Sequence, residues 1–468
     1  MMAEGVGILA IELYAPKLAI SQEALEQADN IPTGKNTIGL GQQEMSFCDD
    51  QEDTVSISLT VTKKLFESYG VLPSDIGYVS VGTETLIDVS KSVTTELMML
   101  FGENANVEGV DMKCACFGGT QALFCGVDWV RANWARKKKY ALIVMADIAI
   151  YEEGAARYTG GAGAVAVLVG PDAPIVFDDC LRGTFQRSAW DFYKPLGGGR
   201  ITEYPVVNGG ESLRTYMLAL DECYKDYKRQ AREYFNEEIS IDSFGAAFFH
   251  SPFTKMVQKA IGRLHYWDIA AGKAVGTEDL RALPAKPNLD DRAVITQLLR
   301  SSANEYERLT LPYLDFNRRC GNMNTAALFA QLVAWLAKSS PKLSSEERRI
   351  LFYSYGSGCS AAMFSVRVTE NELPTSPLSK LRRVCQRALE QLDQRVVVSP
   401  AMYRQAIAHR EDLLTKPGAY TPSGIANNSQ NLFPGTYFLS QIDKPGVRSY
   451  DRMPIEMLNG HHLNGHFN

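Results

Sequence analysis

The chain has 468 residues and 51.8 kDa, with 45% hydrophobic and 22% charged residues, a composition that fits a folded globular protein and excludes a collagenous or disordered one. No run of about 18 apolar residues is present, so no spanning helix and no membrane partner is expected. With 48 Lys and Arg against 54 Asp and Glu, the net charge of -6 offers no chain-wide positive field to a nucleic-acid backbone.

The first apolar run, within residues 5–13, reads as a buried strand, and similar runs recur at 76–82, 140–147, 162–170, 244–250 and 349–356. Between them, Thr54 to Tyr69, Gly118 to Ala135, Ser212 to Tyr234, Thr254 to Leu264 and Thr325 to Ala337 carry apolar residues at three- and four-residue spacing and predict helices. This alternation places the chain in the α/β class, and strands rich in Val, Ile, Ala and Gly predict sheets covered on both faces. Gly170-Pro171-Asp172-Ala173-Pro174 punctuates the pattern and suggests a division there. The expected units are 1–174, 175–457 and a loose polar tail, 458–468. Residues 270 to 291, with Pro284 and Pro287, read as a surface excursion.

Nine cysteines are scattered singly without a CxxC pair, which argues against a disulfide framework or a zinc ribbon and suits a reducing compartment. Residues 1–16 show no basic or Arg/Ser-rich leader, so the cytoplasm is the expected location. His461, His462 and His466 stand in the polar tail without acidic or Cys partners and do not predict a metal site.

Cys116 carries the sharpest chemical signal. It precedes Gly118 and Gly119 where a helix opens, so backbone N–H groups and the helix dipole would favour a thiolate, and the glycines would admit a bulky thioester. For an arbitrary Cys-x-Gly-Gly, a buried packing cysteine is the commoner outcome. Glu84 follows the strand at 76–82, where a carboxylate can serve as general base or simply cap the next helix. His250 closes the strand at 244–250 and could polarise a carbonyl or assist proton transfer. Lys255 and Lys259 lie one helical turn apart, a cradle for phosphates or a solvated face. The Gly-rich turns at 113–119 and 354–359 each follow an apolar run, and could face one site from two related halves.

Together these segments resemble the 3-hydroxy-3-methylglutaryl-CoA (HMG-CoA) synthase family of the thiolase-like superfamily over nearly the whole chain. The resemblance runs through Gly34 to Gln42, Met45 to Cys48, Val81 to Asp88, Ala115 to Thr120, Ala146 to Ala149, Thr159 to Gly161, Asp191 to Pro195, Phe249 to Pro252, Gly321 to Met323, Ser354 to Gly358 and Phe433 to Tyr437, the last looking like the family's C-terminal strand segment. It implies a five-layer αβαβα thiolase-like core and a homodimer. The implied reaction condenses acetyl-CoA with acetoacetyl-CoA and water to HMG-CoA and free CoA, in the mevalonate route, with no metal or redox cofactor.

By resemblance, Cys116 is the acetylated nucleophile, Glu84 the general acid/base, and His250 the group that positions acetoacetyl-CoA. Asn322 would bond the second substrate, and Asp147 and Asp191 would shape the acyl pocket. Lys35, Thr159, Ser212, Lys255, Lys259 and Ser357 match positions that contact CoA or the acyl chain, and the Ser357 N–H would join that of Cys116 in holding an enolate oxygen. The chain departs from the family at Cys114 (usually Asn), Phe117 (Tyr), Ala155 (Asn), Phe185 (His) and Asn324 (Tyr), and Gly197 to Arg200 lengthen a loop. A sibling ketoacyl synthase or thiolase fits less well, because those enzymes do not pair their Cys with a Glu. A silent CoA-binding relative would be expected to lose Cys116, Glu84 or His250.

Overall fold

The structure is a computed structural model that describes residues 4–195, 202–272, 288–339, 343–344, 347–369, 373–416, 418–425 and 431–455. Its main strands are β1 (Gly7–Tyr14), β2 (Ile76–Gly82), β3 (Tyr140–Ala149), β4 (Gly161–Gly170), β5 (Ile175–Gln186), β6 (Ala246–Phe249), β7 (Arg349–Gly356) and β8 (Ser360–Val368). Among the described residues these eight form one mixed sheet in the order β6-β7-β8-β5-β1-β4-β3-β2.

That order contains one figure twice. In β2-β3-β4-β1 and again in β6-β7-β8-β5, the outermost pair is parallel and the inner pairs antiparallel. The quartets join where Gly7 and Ile8 pair with Val176 and Ile175, a joint short enough to let one quartet lie over the other.

The side chains show the layering, because alternate residues of a strand face opposite sides. Along β3, Ala141, Ile143 and Met145 enter one core, while Leu142, Val144 and Ala146 enter another. Along β7, Ile350 and Phe352 enter the first of these cores, and Leu351, Tyr353 and Tyr355 a third. The shared core also holds Leu123 and Val127 of α2 (Gly118–Lys137) and Leu328 and Leu332 of α5 (Ala327–Lys338). Outside the first quartet lie α1 (Thr54–Tyr69) and α7 (Pro400–Thr415), and outside the second lie α3 (Gly209–Phe235) and α4 (Thr254–Ala270). Helix, sheet, helix, sheet and helix give the expected five layers.

Local chemistry explains the key helices. Asp53 caps α1 by accepting from the Ser56 N–H at 2.9 Å, while its own N–H donates to Ser56 Oγ at 2.8 Å, and Gly70 ends the helix at φ 69°. The sequence of α5, ALFAQLVAWLAK, is apolar nearly all round because residues 327–336 are all buried between the sheets. Each fully buried Leu, Val or Phe there contributes roughly 1.5–3 kcal/mol.

The five expected helices form within a few residues of their predicted ends, α4 running on to Ala270. The sequence reading is silent on β5, β8, α6 (Pro377–Gln391) and α7. At the C-terminal end, Phe433–Thr436 is not strand: Gly435 at φ 78° turns the chain, and the strand runs over Tyr437–Ile442. Val398, Ile407, Phe433, Leu439 and Tyr450 pack on the outer face of the first quartet. Of the excursion over 270–291, residues 273–287 lie outside the described residues, as do the Gly197 to Arg200 loop and the His-bearing tail 458–468. Among the described residues no helix is long and apolar enough to cross a membrane.

The close approach of β2 to α2 requires Gly82, where a Cβ would lie 2.4 Å from Gly119 Cα. Gly82→Ala must therefore push α2 outward, and overpacking of this kind costs about 1–3 kcal/mol. A lowered melting temperature together with slower modification of Cys116 is expected. An unchanged melting temperature would mean that strand and helix have room to spare.

Candidate active site

The repeated figure brings two like corners together. β2 and β6 occupy equivalent places, each parallel to its neighbour, and their carboxyl ends run into Thr83-Glu84-Thr85 and His250-Ser251. The central helices α2 and α5 are likewise equivalent, entered through Cys114 to Phe117 and through Cys320 to Ala326. Strand ends and helix entrances of both halves therefore converge.

Cys116 Sγ lies 3.7 Å from Glu84 Oε2 and 3.6 Å from Asn324 Oδ1. Cys116 is partly buried, while Glu84 and Asn324 are 9% and 1% exposed. Asp147, fully buried on β3, holds this arrangement. Its Oδ1 accepts from the N–H groups of Glu84 at 2.8 Å and Thr85 at 3.1 Å and from the hydroxyls of Thr83 and Thr85, both at 2.9 Å. Its Oδ2 accepts from the Thr325 N–H at 3.0 Å and the Thr325 hydroxyl. One carboxylate thus pins the Glu84 corner to the turn that carries Asn324.

The sequence missed the roles of Thr85, Thr325, Tyr151 and Lys194. Asn322 and Thr159 lie beside the buried Tyr151 hydroxyl, which burial, Glu84 and Cys116 push above its ordinary value, so those two predicted residues belong to the same cluster. Asn322 Oδ1 accepts from the Asn324 N–H at 2.9 Å, and its own N–H donates to Gly160 O at 3.1 Å. A signal was available for Tyr151 and Lys194: one stands four residues after Asp147, the other within the Asp191 to Pro195 motif.

Asp191 is also fully buried, accepting from the Tyr355 hydroxyl at 2.8 Å and the Gly358 N–H at 2.9 Å, so it fixes the turn bearing Ser357. Gly356 in that turn has no room for a side chain, since a Cβ would meet Cys114 O at 2.4 Å and Phe117 N at 2.5 Å. The two Gly-rich turns do face one another, but they are not equivalent. The turn at 354–359 is the hairpin between β7 and β8, and the counterpart of the Cys116 turn is the one at 320–326.

The charges correct one expectation. Instead of a thiolate, burial and the carboxylates of Glu84 and Asp147 push the Cys116 thiol well above its ordinary value, against the opposing pull of Lys194. The magnitudes explain the outcome. A helix N-terminus supplies about 0.3–1 kcal/mol to an anion, whereas two like charges about 4 Å apart repel by about 4 kcal/mol in a medium of effective dielectric about 20. Burial raises Glu84 to about 7, aided by Asp147 and opposed by Lys194 and by the bond from Cys116. Burial lowers His250 to about 3, so its imidazole is neutral and can polarise a carbonyl only as an uncharged donor. Its backbone is fixed by the Tyr353 carbonyl and the Tyr216 hydroxyl, each at 2.8 Å.

The predicted CoA-contacting residues lie on other elements. Among the described residues, none of Lys35, Ser212, Lys255 and Lys259 is hydrogen-bonded to the Cys116 cluster. The loop opened by Lys35 docks on the start of α4, where the Thr254 hydroxyl donates to Gly41 O at 2.7 Å, one residue before Lys255. Lys259 has its ammonium pKa lowered by burial and by Lys255. It lines a cavity of about 250 Å³ with Leu213, Met217 and Arg263, next to Ser212 in the first turn of α3. Among the described residues no group of three or more His, Cys, Asp or Glu could hold a metal ion.

Comparison with known proteins gives a consistent result. The family model described as hydroxymethylglutaryl-coenzyme A synthase N terminal matches residues 2–174, and the C-terminal model of that name matches residues 175–453. A hydroxymethylglutaryl-CoA synthase of Caenorhabditis elegans is 46% identical over 448 residues, 95% of this chain and 94% of its own. The mitochondrial form of Rattus norvegicus is 39% identical over 464 residues, 96% of this chain and 90% of its own. A solved structure described as MvaS in complex with 3-hydroxy-3-methylglutaryl coenzyme A superposes with a TM-score of 0.79 at 29% identity, over 97% of this chain and 100% of that one.

Removing the Glu84 charge must ease ionisation of Cys116. Glu84→Gln is expected to speed alkylation of Cys116 by iodoacetamide at about pH 8, because a carboxylate that holds the thiol up is gone. Unchanged or slower alkylation would show that the carboxylate does not control the thiol.

Proposed function

The chain belongs to the hydroxymethylglutaryl-CoA synthase family, and from that premise we propose how its own residues perform the condensation of acetyl-CoA with acetoacetyl-CoA. The supporting observation is the contact of Cys116 Sγ with Glu84 Oε2 at 3.7 Å inside a buried, hydrogen-bonded cluster.

Cys116 attacks the acetyl thioester; the C–S bond to CoA breaks, and the thiol proton leaves on CoA. The acetyl group is then held covalently beside its partner, which replaces a bimolecular encounter by an oriented one. Glu84, as carboxylate, takes a proton from the acetyl methyl group, and the electron pair moves onto the thioester oxygen. The Cys116 and Ser357 N–H groups hold that oxygen. The enolate carbon bonds to C3 of acetoacetyl-CoA, whose ketone His250 polarises as a neutral donor. Glu84 returns its proton to the new alkoxide. Water then cleaves the acyl–sulfur bond, releasing HMG-CoA and restoring the thiol.

Asp147 orients Glu84 through its backbone, Asp191 holds the Ser357 turn, and Asn322 and Thr159 order the pocket with Tyr151. Lys35, Ser212, Lys255 and Lys259 bind CoA. The thioester is already an activated acyl donor, so these steps call for no metal or redox cofactor. We also assign the protein to the cytoplasm as a homodimer. The eight cysteines whose state is described are all free, which suits a reducing compartment. Relatives are named from both the cytoplasm and the mitochondrion.

Incubation with acetyl-CoA alone is expected to add about 42 Da to the Cys116 peptide, as a covalent intermediate requires, and Cys116→Ala is expected to abolish both adduct and turnover. Turnover by that variant would overturn the assignment. Glu84→Ala is expected to keep acetylation, because the thiol ionises more easily, while condensation falls by about 10² to 10⁴-fold. In the wild type, condensation should climb with pH as Glu84 ionises near its value of about 7. A rate flat from acid to alkaline pH would assign the proton transfer elsewhere. His250→Ala should chiefly raise KM for acetoacetyl-CoA, and an unchanged KM would contradict its positioning role.

A further inference from the structure

We propose that the side-chain amide of Asn324 is a catalytic hydrogen-bond donor to the acyl oxygen of acetylated Cys116, a role that rests on reading Cys116 as the nucleophile.

Three observations carry this. Asn324 Oδ1 lies 3.6 Å from the Cys116 sulfur, so the amide touches the reacting atom. Asn324 Nδ2 is fully buried and has no hydrogen-bond partner among the described residues. Leaving such a donor unmet costs about 1–3 kcal/mol, and this one lies on the amide that touches the reacting sulfur. The residue is also held in the left-handed region at φ 42°, with its N–H fixed on Asn322 Oδ1 at 2.9 Å. Asn tolerates that conformation better than most side chains, and strain of this kind collects at functional positions. The fold explains the placement, since Asn324 stands at the entrance of α5, the counterpart of the α2 entrance that carries Cys116.

Acetylation changes what this amide faces. In the free enzyme Oδ1 and Glu84 Oε2 both lie within reach of the one thiol proton. Once sulfur carries an acetyl group that proton is gone, so Oδ1 loses its donor while a carbonyl oxygen arrives that needs donors. A half-turn about the Cβ–Cγ bond presents Nδ2 to that oxygen. When Glu84 removes the methyl proton, the C–H electron pair moves onto the same oxygen, and the amide bond to it strengthens as the charge grows. Nδ2 thereby adds a side-chain donor to the two backbone N–H groups proposed for this oxygen.

The test separates this role from that of Cys116. Asn324→Leu keeps the size of the side chain and removes its donor. The variant is loaded with acetyl-CoA in D2O without acetoacetyl-CoA. Three quantities are then read: acetyl stoichiometry on Cys116, deuterium entry into the acetyl methyl group, and the infrared band of a ¹³C-labelled thioester carbonyl. Full acetylation, exchange slowed about 10²-fold, and a carbonyl band moved to higher frequency are expected, since loss of one oxyanion donor typically costs 10²–10³. An acetylated variant with exchange within about twofold of wild type and an unmoved band overturns the proposal alone, given that typical cost. A wild type that carries no acetyl on Cys116 overturns the nucleophile reading and this proposal with it. Should Asn324→Leu fail to fold, Asn324→Ala, which lacks the amide and any other side-chain donor, is read by the same three signals and the same criteria.

Discussion

A buried carboxylate at the centre of two sheets has to be met by donors, and the site is built around that demand. Taking an ion of this kind out of water costs several kcal/mol even after relaxation. Asp147 meets the cost with bonds from Thr83, Glu84 and Thr85 on one side and from Thr325 on the other. Those residues belong to different halves of the repeated figure. Satisfying Asp147 therefore sets the position of Glu84 relative to the turn at 320–326, and the gap in which Cys116 sits follows from it.

The same burial sets the chemistry. A carboxylate in water would be too weak a base to take a methyl proton, but Glu84 is raised to about 7 by desolvation and by its neighbour Asp147, close to the value at which a general base is most effective near neutral pH. The field that raises Glu84 also keeps Cys116 as a thiol. Acetylation removes the thiol and its proton, so Glu84 no longer shares a proton with sulfur when the methyl group must be deprotonated. Lys194 opposes both shifts and limits how far they go.

Much of this was legible along the chain. Gly118-Gly119 after Cys116, the strand end before Glu84 and the strand end before His250 are local patterns, and local patterns survive folding. Five helices could be read because their apolar faces repeat at helical spacing. The strands β5 and β8 are not legible along the chain, because they become a pair only across a long sequence separation. The thiol was misjudged for a related reason. The helix dipole beside Cys116 is visible in sequence, but Glu84 and Asp147 act on it from 32 and 31 residues away, and only the fold brings them near. The contacts of Thr85, Thr325 and Asn324 are likewise products of the symmetry between halves. That symmetry leaves only two weak traces in sequence, both Gly-rich turns, and one of them marks a hairpin rather than a helix entrance.

Asp147 holds Glu84 in register with the opposite half of the site, and a single-turnover experiment on Asp147→Asn tests this clamp. An amide there places N–H donors against the Thr325 donors, so that one side of the clamp must open. Acetyl-CoA is loaded first, and acetoacetyl-CoA is then added while HMG-CoA formation is followed. The clamp predicts a folded variant whose Cys116 still becomes acetylated but discharges its acetyl group at least about a hundredfold more slowly, the scale on which a misplaced catalytic group is felt. Discharge at the wild-type rate would contradict it and leave Asp147 as a packing residue.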